Sequence, residues 1–189
     1  MTRLIQKGNT KLHNCYMFNI PANKEICGQI CPNCYARKEQ IRFPTVKNSR
    51  TVRYIASLED NFANKIIDEL NHLRSPPKYF RIHASGEFYS PAYISKWATI
   101  AKKFEHIIFY AYTKRLNDFD FSALQALPNV VLINSLQYGG LNYGKLEDAP
   151  QESFVCPYGI KPNVKCGDTC TYCMTKGKAD TTGVYFLRH

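Results

Sequence analysis

Apolar residues along this chain fall into two rhythms. Residues 106–113 (HIIFYAYT) and 129–136 (NVVLINSL) are short, nearly continuous apolar runs, the pattern of strands buried on both faces of a parallel sheet. Residues 78–85 (KYFRIHAS) and 11–20 (KLHNCYMFNI) are rich in β-formers and end at GEFYSP and at Pro21, so they also read as strands. Between these two, Val52, Ile55, Leu58, Phe62, Ile66, Ile67, Leu70 and Leu73 recur three or four apart. That period predicts one helix from about Thr51 to Arg74, stopped by Pro76 and Pro77. Residues 91–104 predict a second helix with Pro91 in its first turn, and its stripe of Ile94, Trp97, Ala98 and Ala101 reads as packing. Residues 117–128 (NDFDFSALQALP) predict a short helix or helical turn, while 153–158 (SFVCPY) and 183–189 (GVYFLRH) are weaker strands.

The alternation of strand and helix places the chain in the α/β class, with parallel strands joined by right-handed crossovers. Residues 137–152 (QYGGLNYGKLEDAPQE) are loop-like, which divides the chain into a core of residues 1–150 and an extension of residues 151–189. Hydrophobic residues make up 44% and aromatic residues 13%, which excludes a disordered chain. No apolar run approaches the roughly 20 residues that span a bilayer. The first residues, MTRLIQKGNTKLHN, lack the apolar centre of a signal peptide, so a cytoplasmic protein without a membrane partner is expected. The net charge of +10 suits contact with phosphate backbones, although the excess is spread and forms no long run.

Eight cysteines stand at positions 15, 27, 31, 34, 156, 166, 170 and 173. In a reducing compartment, clusters of this kind favour metal binding over disulfides. Cys27, Cys31 and Cys34 form C-x3-C-x2-C, three ligands where a tetrahedral site takes four. Cys166, Cys170 and Cys173 repeat the spacing, and Cys156 upstream completes four. A set of four closes a site, and a set of three leaves it open. Four thiolates suit zinc and a [4Fe–4S] cluster alike. Cys15, alone in the first strand, reads as a small core residue. His83 reads equally as a core histidine or as a group at the active-site mouth.

In parallel α/β folds, chemistry collects beyond the carboxyl ends of the strands. There this sequence places the Cys27–Cys34 loop, then Ser85-Gly86-Glu87, then Thr113 and Lys114, then Asn134 and Ser135, then Cys156. The cysteine loop after the first strand, with Gly86-Glu87 ending the second, resembles the radical SAM superfamily. The resemblance covers roughly residues 11–136. It implies a truncated partial (β/α) barrel with a small cysteine-rich metal-binding extension. It further implies a [4Fe–4S] cluster on Cys27, Cys31 and Cys34, whose open iron takes S-adenosylmethionine, and an external electron donor. Ser85-Gly86-Glu87 stands for the family's Gly-Gly-Glu, which receives the methionine ammonium. The position before the third cysteine is Asn33, and the aromatic expected beside the adenine follows as Tyr35. The same reading lets Lys114, beside Thr113, meet the cosubstrate carboxylate, and Asn134 or Ser135 the ribose. Only 16 residues follow Cys173, too few for a second strand and its Gly-Glu, so the N-terminal trio is expected to take SAM. A second [4Fe–4S] cluster, or zinc, would then fill the site of Cys156, Cys166, Cys170 and Cys173.

The segments NCYA, SGEF, YTKR and VYFLRH also resemble the small phage proteins called gene product 88, which implies a phage-encoded protein in the host cytoplasm. Two function classes follow. One is a radical SAM enzyme that generates a 5′-deoxyadenosyl radical and acts on a nucleic acid or nucleotide. The other is a zinc-binding module that contacts nucleic acid without catalysis.

Overall fold

The computed structural model describes residues 3–28, 31, 34–136 and 143–187. Its main sheet has five strands in sequence order: β1 (Gln6–Lys7), β2 (Cys15–Phe18), β3 (Tyr79–Ile82), β4 (Ile108–Thr113) and β5 (Val130–Asn134). β1 is antiparallel to β2, and the other neighbours are parallel. The register pairs Phe18 with Ile82, Phe80 with Phe109 and Thr113 with Asn134, so the carboxyl ends of β2 to β5 line one edge. The sheet is open, with β1 and β5 at its margins.

The long crossover from β2 to β3 carries α1 (Lys24–Cys27), α2 (Tyr35–Arg42), α3 (Pro44–Leu58) and α4 (Phe62–Asn71). α5 (Pro91–Lys103) links β3 to β4, and α6 (Ser122–Gln125) links β4 to β5. The alternation of side chains along each strand gives the sheet two faces. Phe18, Phe80, Ile82, Phe109, Ala111, Val130 and Leu132 pack with Phe62 and Ile66 of α4, Trp97 and Ile100 of α5, and Leu124 of α6. Trp97 is wholly buried and meets Phe18 and Phe62 edge-on, with ring centroids at 5.5 and 5.7 Å. α4, α5 and α6 thus share one core on one face.

The other face presents Cys15, Met17, Tyr79, Tyr110, Val131 and Ile133. Leu12, Cys156, Met174, Ala179 and Val184 cover it. Most of that cover comes from the C-terminal segment, which holds β6 (Tyr143–Gly144), β7 (Phe154–Val155), α7 (Ala179–Thr182) and β8 (Val184–Leu187). These strands form a second, three-stranded parallel sheet in the order β6-β8-β7. The near-continuous apolar character of β4 and β5 is thereby explained, since both their faces are buried.

Two sequence expectations are corrected. The helix expected over 51–74 is two helices, α3 and α4, separated at Glu59-Asp60-Asn61, and α3 begins earlier, with Pro44 in its first turn. The period through Val52, Ile55 and Leu58 marks the solvent side of α3, where these residues are exposed. The buried side of α3 carries Arg50, Arg53, Ala56 and Ser57 instead. Hydrogen bonding of the two arginines to backbone carbonyls and polar side chains lets polar residues point inward. Second, β7 belongs to the small sheet, so Cys156 does not stand at the edge shared by β2 to β5. Within the expected loop 137–152, residues 137–142 lie outside the described residues, as do residues 188–189 of the last expected strand.

Candidate functional site

The edge site is assembled by short polar ties between strand ends. Asn19, just past β2, is buried, and its carboxamide oxygen accepts from the backbone N–H groups of Ala84 and Ser85 at 2.7 and 3.1 Å. The Ser85 hydroxyl donates to the Ile20 carbonyl at 2.9 Å. Ser85 therefore clamps the segment after β3 onto the end of β2. Gly86 follows with φ +91°, and a Cβ there would fall 2.3 Å from Ile20 Cγ1 and 3.0 Å from the Ile20 oxygen. Glycine is required on both counts, by backbone conformation and by close approach.

This turn delivers Glu87 inward. Its carboxylate is buried and accepts from the Thr113 hydroxyl at 2.7 Å, the Lys114 backbone N–H at 3.0 Å and the Phe88 N–H at 3.3 Å. Burial pushes the carboxyl up to about 7, against the pull of these donors and of the Lys114 charge. Thr113 is fully buried, and its hydroxyl also accepts from the Arg115 N–H at 3.0 Å. Thr113 thus orients Glu87.

The cysteine loop closes over this acid. Asn23 caps α1 through the Ile26 N–H, and Cys34 caps α2 by accepting from the Arg37 N–H at 3.4 Å. Lys114 Nζ donates to Cys31 Sγ at 3.0 Å. The Arg115 guanidinium lies over Gly28 so closely that a Cβ there would fall 1.6 Å from Nη1. Arg115 is held by Asp118 at 2.8 Å. Burial lifts the Cys27 thiol to about 12, and the charges of Glu87, Cys31 and Cys34 add to the rise. Tyr35 is largely exposed, and its hydroxyl donates to the Ala84 carbonyl, bridging the loop to the strand end. The structure therefore brings together Cys27, Cys31, Cys34, Tyr35, Gly86, Glu87, Thr113 and Lys114. Ser135 lies beside them through its N–H on the Thr113 carbonyl at 2.8 Å.

The second cysteine group lies across the other face of the sheet. Cys166 pairs with the Leu12 segment: its N–H donates to the Lys11 carbonyl at 2.8 Å and its carbonyl accepts from the His13 N–H at 2.8 Å. The Cys156 N–H donates to the Tyr185 carbonyl at 2.8 Å. Burial raises Cys173 to about 12, with a hydrogen bond to Tyr112 pulling down and Cys156, Cys166 and Cys170 pushing up. All eight cysteines are free thiols. Among the described residues, no set of three or more His, Cys, Asp or Glu side chains is gathered tightly enough to hold a metal ion as it stands. The chemistry of both donor sets nonetheless fits a thiolate-ligated centre: three thiols on one loop, where the charges of Cys31 and Cys34 act on Cys27, and four thiols in the C-terminal segment, where those of Cys156, Cys166 and Cys170 act on Cys173. Residues 29–30 and 32–33, including Asn33, lie outside the described residues.

The family model for gene product 88 matches residues 2–180. The chain belongs to the gene product 88 family. All eight cysteines and Glu87 lie inside the matched span. Among curated proteins, the Gene 88 protein of Mycobacterium phage D29 is 27% identical over 126 residues, covering 61% of this chain and 50% of that protein. The Gene 88 protein of Mycobacterium phage L5 is 33% identical over 76 residues, covering 40% of this chain and 32% of that protein. This gene product 88 chain thus spans half or less of the length of these relatives. No solved structure matches it. Among the described residues, no helix is long and apolar enough to cross a membrane.

Sequence reasoning had not found Asn19 or Arg115, nor Arg81, which lies under the Tyr112 ring at 5.2 Å on the face shared with Cys15. Asn19 carried one weak signal, a polar residue at a strand end just before Ile-Pro. His83 proves to be a core residue: its Nε2 meets the Tyr93 hydroxyl at 2.8 Å, and it is buried.

Proposed function

We propose that this gene product 88 protein is a radical SAM-type iron–sulfur enzyme acting on a nucleotide or nucleic acid. What carries the reading is the meeting of the three-thiol loop with Gly86-Glu87 at the carboxyl edge of a parallel sheet. The sequential strand order, with α4, α5 and α6 packed on one face, suits a segment of a (β/α) barrel. Cys27, Cys31 and Cys34 would hold the cluster. A [4Fe–4S] cluster held there would pass one electron from an external donor to the sulfonium of S-adenosylmethionine, breaking one C–S bond to give methionine and a 5′-deoxyadenosyl radical.

The chain's own residues would bind and orient. Glu87 already accepts three hydrogen bonds, and a carboxylate offers about four lone-pair sites, so room remains for an ammonium. An ammonium there offsets a charge otherwise buried at a cost. Thr113 fixes the carboxylate's rotation. Lys114 places a cation between the thiols and any incoming carboxylate. Tyr35 offers an exposed ring at the mouth for stacking. The C-terminal thiols, under the second face, would hold a further iron–sulfur cluster or zinc.

Anaerobic purification with iron, sulfide and zinc analysis and a visible spectrum tests the proposal. Brown protein with about four or eight irons per chain supports it. Zinc at both sites and no visible absorbance would overturn it in favour of a zinc-binding nucleic-acid module.

A further inference from the structure

A cavity of about 330 Å³ opens between the β1–β2 edge and α3, with no cysteine in its lining. Lys7, Asn19, Glu39, Ser49, Arg50 and Arg53 lie in its wall. Arg50 and Arg53, only 7% and 6% exposed, stand about one turn apart on α3. Buried guanidinium groups are ordinarily matched by carboxylates. Arg50 has one, Glu39, and also donates to the Ala36 carbonyl at 2.9 Å. Arg53 has none among the described ion pairs. It donates to the Leu4 carbonyl at 2.6 Å, to the Ser49 carbonyl at 3.1 Å, to the Ser49 hydroxyl and, at 3.4 Å, to the Arg3 carbonyl, all of them uncharged acceptors. Glu69 lies near enough to act on Arg53, but its two oxygens accept the N–H groups of Leu4 and Ile5 at 2.7 and 3.0 Å. The wall therefore holds three cations against one carboxylate.

We infer that this cavity binds the phosphate of a nucleotide-sized ligand. The planar fork of arginine matches phosphate oxygens, and a concave, partly dry wall strengthens the attraction. The volume lies within the range of roughly 300–1,000 Å³ typical of small-molecule pockets. Asn19 also ties down Ala84 and Ser85, so the cavity shares a wall with the edge site. The inference narrows the nucleotide or nucleic acid of the enzyme reading to a phosphate-bearing nucleotide held at a second site, and its own support is the arginine wall of this cavity.

Calorimetric titration of the as-isolated full chain, without added iron or SAM, tests it. The probes are inorganic phosphate, AMP, adenosine and a short single-stranded oligonucleotide. Ser49→Asp sets a carboxylate beside Arg53 while keeping its bonds to backbone carbonyls, so the fold survives where Arg53→Met endangers it. AMP and phosphate are expected to bind the parent chain and to weaken about tenfold or more in Ser49→Asp. Lys7→Gln, at the exposed rim, should weaken them less. Adenosine binding as tightly as AMP would overturn the assignment. So would equal AMP affinity in parent and Ser49→Asp, or binding of the oligonucleotide alone with no response to Ser49→Asp. A failure here leaves the iron–sulfur reading standing, because no cluster or cosubstrate enters the measurement.

Discussion

The two cysteine groups share a spacing and differ in how the chain holds them. The described backbone ties of the trio are local, from Cys27 to Asn23 and from Cys34 to Cys31. The quartet adds long-range ties to local ones: Cys166 is bonded to Lys11 and His13 and Cys156 to Tyr185, while Cys170 is bonded to Lys165 and Gly167 beside it. Cys156 is buried in the second core, whereas each member of the trio is half-buried. A local loop can change shape without disturbing the sheet, while a long-range clasp cannot. The same motif thus stands once in a locally tied loop and once in a clasp that fastens the chain's last segment to its first.

The largest expected effect breaks that contrast most directly. Cys156→Ser places a hydroxyl in an apolar cluster and loosens the clasp, so denaturant unfolding should show a loss of about 2–3 kcal/mol. Cys31→Ala should cost the metal-free fold under about 0.5 kcal/mol, yet remove iron from the edge site and abolish SAM cleavage. Equal destabilisation by the two would erase the distinction.

Gly86→Ala comes next. Its φ of +91° and the contact with Ile20 together predict a loss of about 2 kcal/mol, read in the same unfolding measurement. Binding at the edge should suffer more than stability, because the turn aims Glu87.

Glu87→Gln sharpens the comparison by separating stability from function. Glutamine can accept from the Lys114 N–H and donate to the Thr113 hydroxyl, so two of the three local bonds survive and only the long one from the Phe88 N–H is lost. A carboxyl raised in the fold binds its proton more tightly there, so its contribution to stability falls as pH rises from about 4.5 to about 7. At pH 8 the metal-free Glu87→Gln chain should therefore melt higher than the parent. SAM affinity should fall by about 1.5–3 kcal/mol, measured by anaerobic titration of the loaded protein. Unchanged affinity would remove Glu87 from the site.

Much of this was legible in the sequence where backbone and side chain signal together. The continuous apolar runs of β4 and β5 announced a sheet buried on both faces, and strand-end positions located Glu87, Thr113 and Lys114. The failures have physical causes. Val52, Ile55 and Leu58 have the period of a core stripe, but α3 turns Arg50 and Arg53 inward because neighbouring carbonyls and Glu39 satisfy them. Such satisfaction is three-dimensional and leaves no mark in a hydropathy pattern. β1 is only two residues long and carries no period at all. The role of Ser85 as a clamp on β2 depends on the Ile20 carbonyl, which sequence spacing does not reveal.

Over a single pH unit the smallest effect concerns His83, which anchors the edge segment from the helix side. It adopts φ +64°, packs edge-on against Phe88 and hydrogen-bonds Tyr93, while its Nδ1 is buried without a partner. Burial pulls its pKa down from 6.5 to about 3, and the Arg81 charge adds to the shift. Above pH 6.5 the ring is neutral in both folded and unfolded chains and contributes no pH dependence. Below that, the unfolded chain takes up a proton that the folded chain refuses until about pH 3. Stability should then fall as pH drops through this window, by about 1.4 kcal/mol per pH unit from this group. His83→Asn keeps a residue that tolerates positive φ and removes the titrating ring. Its unfolding free energy should be flatter between pH 6.5 and 5 than that of the parent. Hydrogen exchange at pH 5.5 then locates the effect: amides of 84–88 should lose protection in the parent before those of 166–174. Loss of protection first at the quartet would mean that acid loosens the clasp and that His83 does not govern the edge.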